Sequence, residues 1–569
     1  MTGLDDATTL RILITVAVSA GLTVIIGALA VFFPQFGNSI FRHTERALSR
    51  VAGRRTLAIG LVFVLVIAIR LLALPFLPVP VPGIHDEHSY LLMADTLAHG
   101  RLANPPHPMW ASFETFHVNW FPTYSSMYPP AQGFVLAVGQ LLGHPWLGVL
   151  LTNAAMCAAI LWMLQTWMPP RWALLGATLI ALKFGVASYW MNSYWGGAVP
   201  ATAGALVLGA LARIVRRANV GDALLLGLGV AILANSRPYE GFLFCLPAAA
   251  WFVWWLAGKT KSKDALLARL RRVLAPLALV LVLTGAFMGY YNWRVTGNAL
   301  QLPYLLNLRT YHTAQVFLWG HAKPAQHYRN QQFEDFYNTW ERGNYHGEWS
   351  DIVRVTEEKM VRCSLTYLWA GELLALPTLP FLFRDRKMRL LLFTFALGVA
   401  GVLTLVWSNP HYAAPFTGVV FALAVQMMRH LRAARGRRRC TGLALSRAIV
   451  ILLVLDTGIN VARHVCDPLR WPCEGDSSRA AIAQKLMQTP GKHLIMVRYE
   501  QDHNIHDEWV YNGADIDGTK VLWARELDAQ QNAKLFAYFK DRQIWLVTPD
   551  SDNRYLEPYT PPGAELVDQ

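Results

Sequence analysis

The sequence predicts an all-α polytopic membrane bundle of about twelve transmembrane helices, followed by a small C-terminal α/β layer. Three observations predict it. Of 569 residues, 54% are hydrophobic and only 15% are charged, a balance too apolar for a water-soluble chain of this length. The apolar residues fall in runs long enough to cross a hydrocarbon core. The bases behind the formal net charge of +14 crowd into alternate short loops between those runs.

Apolar spans are read at 12–33, 56–79, 146–165, 172–190, 196–213, 222–236, 239–257, 273–293, 364–383, 389–407, 412–428 and 444–462. No basic run precedes the first and no small-residue cleavage site follows it, so it is expected to be a retained helix rather than a signal peptide. The loops within 42–55, 171, 213–222, 259–272, 384–389 and 429–447 together hold about 26 bases against the four acids Glu45, Asp222, Asp264 and Asp385. The positive-inside rule makes these loops cytoplasmic. Both termini, the loops of roughly 80–145 and 294–363, and the tail beyond 463 are then extracytoplasmic, with the bundle in the inner (plasma) membrane.

This divides the chain into 1–55, an extra N-terminal transmembrane helix and basic loop; 56–462, a transmembrane core; and 463–569, an outer α/β domain. The charge map also argues against a nucleic-acid partner. The Arg-rich segment 429–439 anchors two helices and needs no further role.

The first outer loop opens on Ile84-His85-Asp86-Glu87-His88-Ser89-Tyr90. A carboxylate pair this close to a bilayer is costly unless it faces water or a polar cavity, which makes Asp86 and Glu87 candidate site residues. A solvated loop after a helix is the plainer alternative. Tyr90 to Leu97 reads as a short helix closed by His99-Gly100, and Leu102 to Tyr128 is crowded with Pro, His and aromatics that suit the interface. Tyr128-Pro129-Pro130 then opens the apolar segment Ala131 to Leu142, too short to span and so interfacial or re-entrant.

Cys157 and Cys245 fall inside spans and Cys440 in a basic loop. On the outer side, Cys466 and Cys473 could form a disulfide, with Cys363 as a competing partner.

An apolar helix, an Asp-Glu pair in the first outer loop, a Pro-Pro-initiated juxtamembrane helix, a Leu-Leu-Gly-His-Pro-Trp turn and a long bundle with an outer tail resemble the GT-C superfamily of integral-membrane glycosyltransferases. Protein O-mannosyltransferases and bacterial lipid A aminoarabinose transferases are the members most alike, over roughly residues 56–430. The resemblance implies a sugar donor carried on a polyprenyl phosphate, transferred on the outer face to a hydroxyl of a lipid, glycan or protein acceptor. It makes Asp86 the base or acceptor-orienting carboxylate and Glu87 its partner. An alcohol is a poor nucleophile until its proton has somewhere to go, and neighbouring carboxylates can split their pKa values between two roles.

Such a reaction expels an anionic phosphate and needs positive charge beside it. Arg237, in Asn235-Ser236-Arg237-Pro238-Tyr239-Glu240, could hold phosphate in a fork, or could snorkel to the interface paired with Glu240. His411 and Tyr412, in Asn409-Pro410-His411-Tyr412, stand where related enzymes often carry an Arg-Tyr pair. Histidine is neutral much of the time at pH 7, and an interfacial His-Tyr turn is the alternative. His85 and His88 flank the carboxylates as further substrate-binding candidates.

Many relatives place another acid in the next outer loop, often tied to metal. Here Ser188 to Gly197 has none and offers aromatics instead, for a sugar or isoprenoid face or as interface anchors. A divalent metal at His85 to His88 is left open, since the ligand types suit one but adjacent residues rarely converge on one ion.

Beyond Arg463, helices are expected over Ala480 to Met487 and Ala529 to Phe539, and strands over Leu494 to Tyr499, Val521 to Ala524 and Ile544 to Val547. No Gly-rich phosphate loop accompanies them, so no cofactor is assigned. Ile505-His506-Asp507-Glu508 repeats Ile84-His85-Asp86-Glu87 without matching flanks. A lipid-linked donor must be met at the bilayer, which favours the first copy, with a metal or acceptor site in the tail as the alternative. The rival function is a transporter or flippase of a lipid-linked saccharide, which would show broken helices or charges inside the membrane. Arg70 and Lys183 are the obvious bases inside spans.

Overall fold

Helices fill the apolar runs because a segment in hydrocarbon must satisfy its backbone N–H and C=O groups internally. The computed structural model describes residues 6–258, 263–434, 440–466, 477–551 and 554–560. The helices that build the bundle are α1 (Asp6–Phe32), α2 (Asn38–Gly53), α3 (Arg55–Leu72), α4 (His85–Ala98), α5 (Pro130–Leu141), α6 (Pro145–Trp167), α7 (Pro170–Phe184) and α8 (Ala198–Arg216). They continue with α9 (Val220–Ala234), α10 (Pro238–Ala257), α11 (Ala275–Thr296), α12 (Trp349–Tyr367), α13 (Arg389–Thr404), α14 (Thr417–Ala433) and α15 (Thr441–Cys466).

Seven described helices are long and apolar enough to cross a membrane, or eight if Trp349–Tyr367 and Ala370–Arg384 form one bent span. The chain is a multi-pass membrane protein. Val16–Phe32, Val220–Ala234 and Arg389–Thr404 are apolar but shorter.

The run expected as one helix at 364–383 is broken by 96°. Leu368 and Trp369 are extended, and Pro377 lies in the 3-10 turn Ala370–Thr378 that follows. Lys183 of α7 donates to the freed Leu368 carbonyl at 2.9 Å, and Asp456 of α15 lies 3.7 Å from the same ammonium. Glu372, buried in the first turn after the break, also feels Lys183. Charges thus occupy the helix ends that the break leaves without partners.

A second difference is α2, which occupies what reads as a basic loop. Its bases dilute the hydropathy signal but leave a helical period in Ile40, Phe41, Thr44, Leu48 and Val51. Glu45 on this helix is held by both Arg432 and Arg447 at 3.0 Å. The positive Arg pair pulls the Glu45 carboxyl down to about 2 against the opposing effect of burial. Nearby, Arg213 and Arg216 donate to carbonyls in the last two turns of α6, those of Trp162 and Thr166, which gathers the basic loops on one side.

On the other side lie the first outer loop, the segment after α11 and the tail. In that loop β1 (Val118–Asn119) pairs antiparallel with β2 (Ser125–Ser126). The tail contains α16 (Ser477–Gln488), β3 (Lys492–Val497), β4 (Val521–Arg525), α17 (Ala529–Tyr538), β5 (Arg542–Val547) and β6 (Glu557–Pro558). Strand order is β4-β3-β5-β6, with β3 parallel to both neighbours and β6 antiparallel.

Alternation along the strands splits the sheet's two faces. Leu494, Met496, Leu522 and Ala524 share a core with Leu92, Phe113, Val118 and Trp120 of the outer loop. Ile495, Val497 and Trp523 pack instead with Leu486 of α16.

Two glycines let α5 lie against α6. A Cβ on Gly148 would come 2.1 Å from the Val135 carbonyl oxygen, and one on Gly139 would come 2.4 Å from the Gly148 nitrogen. Gly148→Ala is therefore expected to destabilise the protein in detergent by about 1–3 kcal/mol through overpacking, read as a lowered melting temperature. An unchanged melting temperature would mean that the two helices can part without cost. Cys157, Cys245, Cys363 and Cys440 are free; Cys473, and with it the expected outer pairing, lies outside the described residues.

Candidate functional site

Asp86 and Glu87 occupy the first turn of α4, where carboxylates favour the exposed N–H groups. Successive helical residues point about 100° apart, and the two acids meet different surroundings. Glu87 is only 2% exposed. Its Oε2 accepts from the N–H groups of Gly83 at 2.8 Å and Ile84 at 3.3 Å, while Oε1 accepts from Tyr194 at 2.8 Å. Burial pushes its carboxyl up to about 7, against the pull of those three donors. The expected pairing of the two acids around one substrate is not what the geometry forms: Glu87 holds backbone.

Asp86 remains 21% exposed and faces the outer loop. The Tyr128 hydroxyl donates to its Oδ1, and His117 Nδ1 lies 3.1 Å from that hydroxyl and 3.7 Å from Asp86 Oδ2. Tyr90, one turn along α4, stacks on Tyr128 with ring centroids 4.4 Å apart.

The turn at 235–237 is drawn beside this group because Ala131, at the start of α5, donates to the Asn235 carbonyl at 2.9 Å. Arg237 caps α10 and lays its guanidinium over the Tyr412 ring, 4.0 Å from the centroid. Tyr90 and Tyr412 each feel both Asp86 and Arg237. Tyr304 feels Arg237 and Tyr412 as well. Glu240 is buried within Arg237's field.

The other expected residues lie elsewhere. His411 is 1% exposed, its Nδ1 3.2 Å from the Tyr189 hydroxyl and its ring edge-on to Trp195 at 4.4 Å. Its ring lies edge-on to Tyr412 with centroids 5.0 Å apart, and it also feels Arg237. Trp190, Tyr194 and Trp195 are buried and Tyr189 is half-buried, so most of that aromatic stretch packs into the bundle. Its polar atoms hold helices: Asn192 Oδ1 accepts from Arg70 at 2.8 Å. Among the described residues no three His, Cys, Asp or Glu side chains are grouped to hold a metal ion.

His85 and His88 hold the tail. His85 Nε2 donates to the Ile505 carbonyl at 2.9 Å, which leaves Nδ1 to accept from the Tyr511 hydroxyl at 2.8 Å. His88 stacks on Tyr511 with centroids 4.1 Å apart. The second Ile-His-Asp-Glu copy is thus beside the first, with the His85 and His506 rings 6.1 Å apart. Its acid Glu508 is committed to a buried pair with Arg525.

Burial holds both His85 and His88 well below their ordinary 6.5. Below pH 6.5 the freed imidazoles bind protons that the docked ones refuse, so docking is fully stable above about 6.5 and weakens as the pH falls through it. Proteolysis of the tail is expected to accelerate between pH 6.5 and 5, and His85→Asn with His88→Asn together are expected to flatten that dependence.

Solved structures resemble the chain at a distance. The oligosaccharyltransferase of Archaeoglobus fulgidus in complex with zinc and sulfate is 11% identical, with a TM-score of 0.49 over 86% of this chain and 67% of that one. In its form tethered to an acceptor peptide the match has a TM-score of 0.43 at 11% identity, and this chain, 78% covered, spans only 62% of that chain's length. ArnT from Cupriavidus metallidurans in the apo state is 14% identical, with a TM-score of 0.46 over 86% of this chain and 93% of that one. No family model matches the sequence, and no curated protein matches it.

Sequence reading passed over Tyr90, His117, Tyr128 and Tyr304. Tyr128 had a local signal, standing directly before Pro129-Pro130 and so fixed at the start of α5. His117 had none, because its place depends on a backbone φ of +59°.

Proposed function

We propose that the protein is a membrane glycosyltransferase that moves a hexosyl or pentosyl group from a polyprenyl-phosphate donor to an acceptor hydroxyl on the outer face of the inner (plasma) membrane. The observation that carries this reading is Asp86 pinned by Tyr128 beside Tyr90, with Arg237 stacked on Tyr412 at the turn that Ala131 ties to the start of α5. A carboxylate with one oxygen pinned by Tyr128 and its side chain still partly exposed can take the acceptor's proton. A guanidinium stacked on a phenol presents its donors to a departing phosphate.

Glu87 sets the start of α4 and so the aim of Asp86, and Tyr412 takes the phosphate-side role together with Arg237. Glu240 and His411 support these two from behind, and His85 and His88 act through the tail. The basic side, with Arg432 and Arg447 on Glu45, faces the cytoplasm by the positive-inside rule, which puts both termini outside.

One observation favours a second reading. The 96° break beside Lys183, Asp456 and Glu372 is the kind of feature expected in a transporter of a lipid-linked saccharide. A single experiment separates the two. The full-length protein is offered a panel of polyprenyl-phosphate sugars, in micelles and in sealed vesicles. Release or transfer of one sugar supports the transferase; movement of chemically intact donor across the vesicle bilayer replaces it with the transporter.

A further inference from the structure

The hydrogen bonds around Asp86 define more than a lone carboxylate. A phenol has one proton, and an ionised carboxylate can only accept. The Tyr128 proton is therefore committed to Asp86 Oδ1, and the 3.1 Å contact between the phenol oxygen and His117 must use a proton on Nδ1. The order is His117 Nδ1–H to Tyr128 Oη–H to Asp86 Oδ1, and it fixes the imidazole tautomer.

The imidazole is held in that order by structure on every side. His117 has φ +59°, a left-handed conformation costly for a residue with a Cβ and often kept where a site is pre-organised. Its carbonyl accepts from Ser89 Oγ of α4 at 2.7 Å and from the Met127 N–H at 3.1 Å, and β1 begins at the next residue. Its ring lies parallel to His312, within 11° and 6.3 Å between centroids. His312 is fixed in turn by Glu341, 2.6 Å from its Nδ1. A strained backbone, a two-residue ladder and a buried His-Glu pair together aim one imidazole.

We propose that Tyr128 and His117 are positioning residues for the transfer, pinning Asp86 Oδ1 so that Oδ2 meets the acceptor hydroxyl. This rests on the transferase reading above. In the step, the acceptor O–H breaks and its proton goes to Asp86 Oδ2. The acceptor oxygen bonds to the anomeric carbon while the bond from that carbon to the phosphate oxygen breaks, and the lipid phosphate leaves with the electron pair.

Tyr128→Phe removes the hydroxyl that bridges His117 and Asp86 Oδ1 and keeps the ring stacked on Tyr90. It is expected to lower kcat about 10–100-fold through misplacement of the base, with the donor KM changed less than about twofold. His117→Ala is expected to do the same. His117→Asn is expected to restore most of kcat, because Asn tolerates the left-handed conformation and carries a side-chain N–H for the Tyr128 oxygen.

The second measurement needs no turnover. In full-length protein labelled with 15N-histidine, the signal lost in His117→Asn is expected to report an Nδ1–H tautomer, and Tyr128→Phe is expected to move that Nδ1 signal. An Nε2–H tautomer in the wild type, or a Tyr128→Phe variant with wild-type kcat, overturns the proposal while leaving the transferase reading intact. If the tautomer is as expected but the wild type turns over no sugar in the panel, the transferase reading fails and the positioning role falls with it.

Discussion

Asp86→Asn is expected to lower sugar turnover about 10²–10⁴-fold, the usual contribution of a positioned proton acceptor, with donor binding retained. The amide is nearly isosteric, and its oxygen can still accept from Tyr128, so the α4 start and the Tyr90–Tyr128 stack should survive. What disappears is the capacity to take a proton on the second oxygen. The check is a single-turnover assay in micelles beside equilibrium binding of the same donor. Turnover within a few-fold of wild type would remove Asp86 from the chemistry. Glu87→Gln makes the contrasting variant: it loses an acceptor for Gly83 and Ile84 but keeps one for Tyr194, so its effect should fall mainly on melting temperature.

Arg237→Lys is expected to cost about 10²–10³-fold in kcat/KM, the scale set by losing one preorganised group at a developing charge. The exchange keeps the charge but loses the planar fork and its stack on Tyr412, 4.0 Å away, so it is not a conservative change here. Arg237→Met should cost more and should also weaken binding of the sugar-free lipid phosphate. If Arg237→Met bound and turned over donor as the wild type does, the phosphate would have to be held elsewhere on this side of the bundle.

Much of this architecture could be read from local sequence, and what could not has a common cause. Apolar length locates α3, α6, α8 and the other long helices directly, because the bilayer sets one threshold for all of them. The strands β3, β4 and β5 show as short apolar runs alternating with helical segments along the tail. Asp86 and Arg237 stand out because charge near a membrane is costly. The break after Tyr367 hides inside a continuous apolar run, since Lys183 and Asp456, which satisfy it, come from distant helices. The divergence of Asp86 from Glu87, the packing of His411 against Tyr189 and Trp195 and the capture of His85 by Tyr511 are likewise set by partners far away in sequence. Residue type announces that a group must be satisfied, and only the fold says by what.

The contact between His85 and Tyr511 joins residues 426 positions apart. On a ribosome adding about 5–20 residues per second, α4 emerges tens of seconds before the strands that cover it. Through that interval His85, His88, Leu92 and Phe113 wait without the sheet that buries them. The first outer loop cannot reach its final form until the last hundred or so residues have been made and brought to the same side of the membrane. Completion of the chain therefore acts as a timer on the site, and a prematurely terminated product would reach the membrane with Asp86 present but its surroundings unfinished.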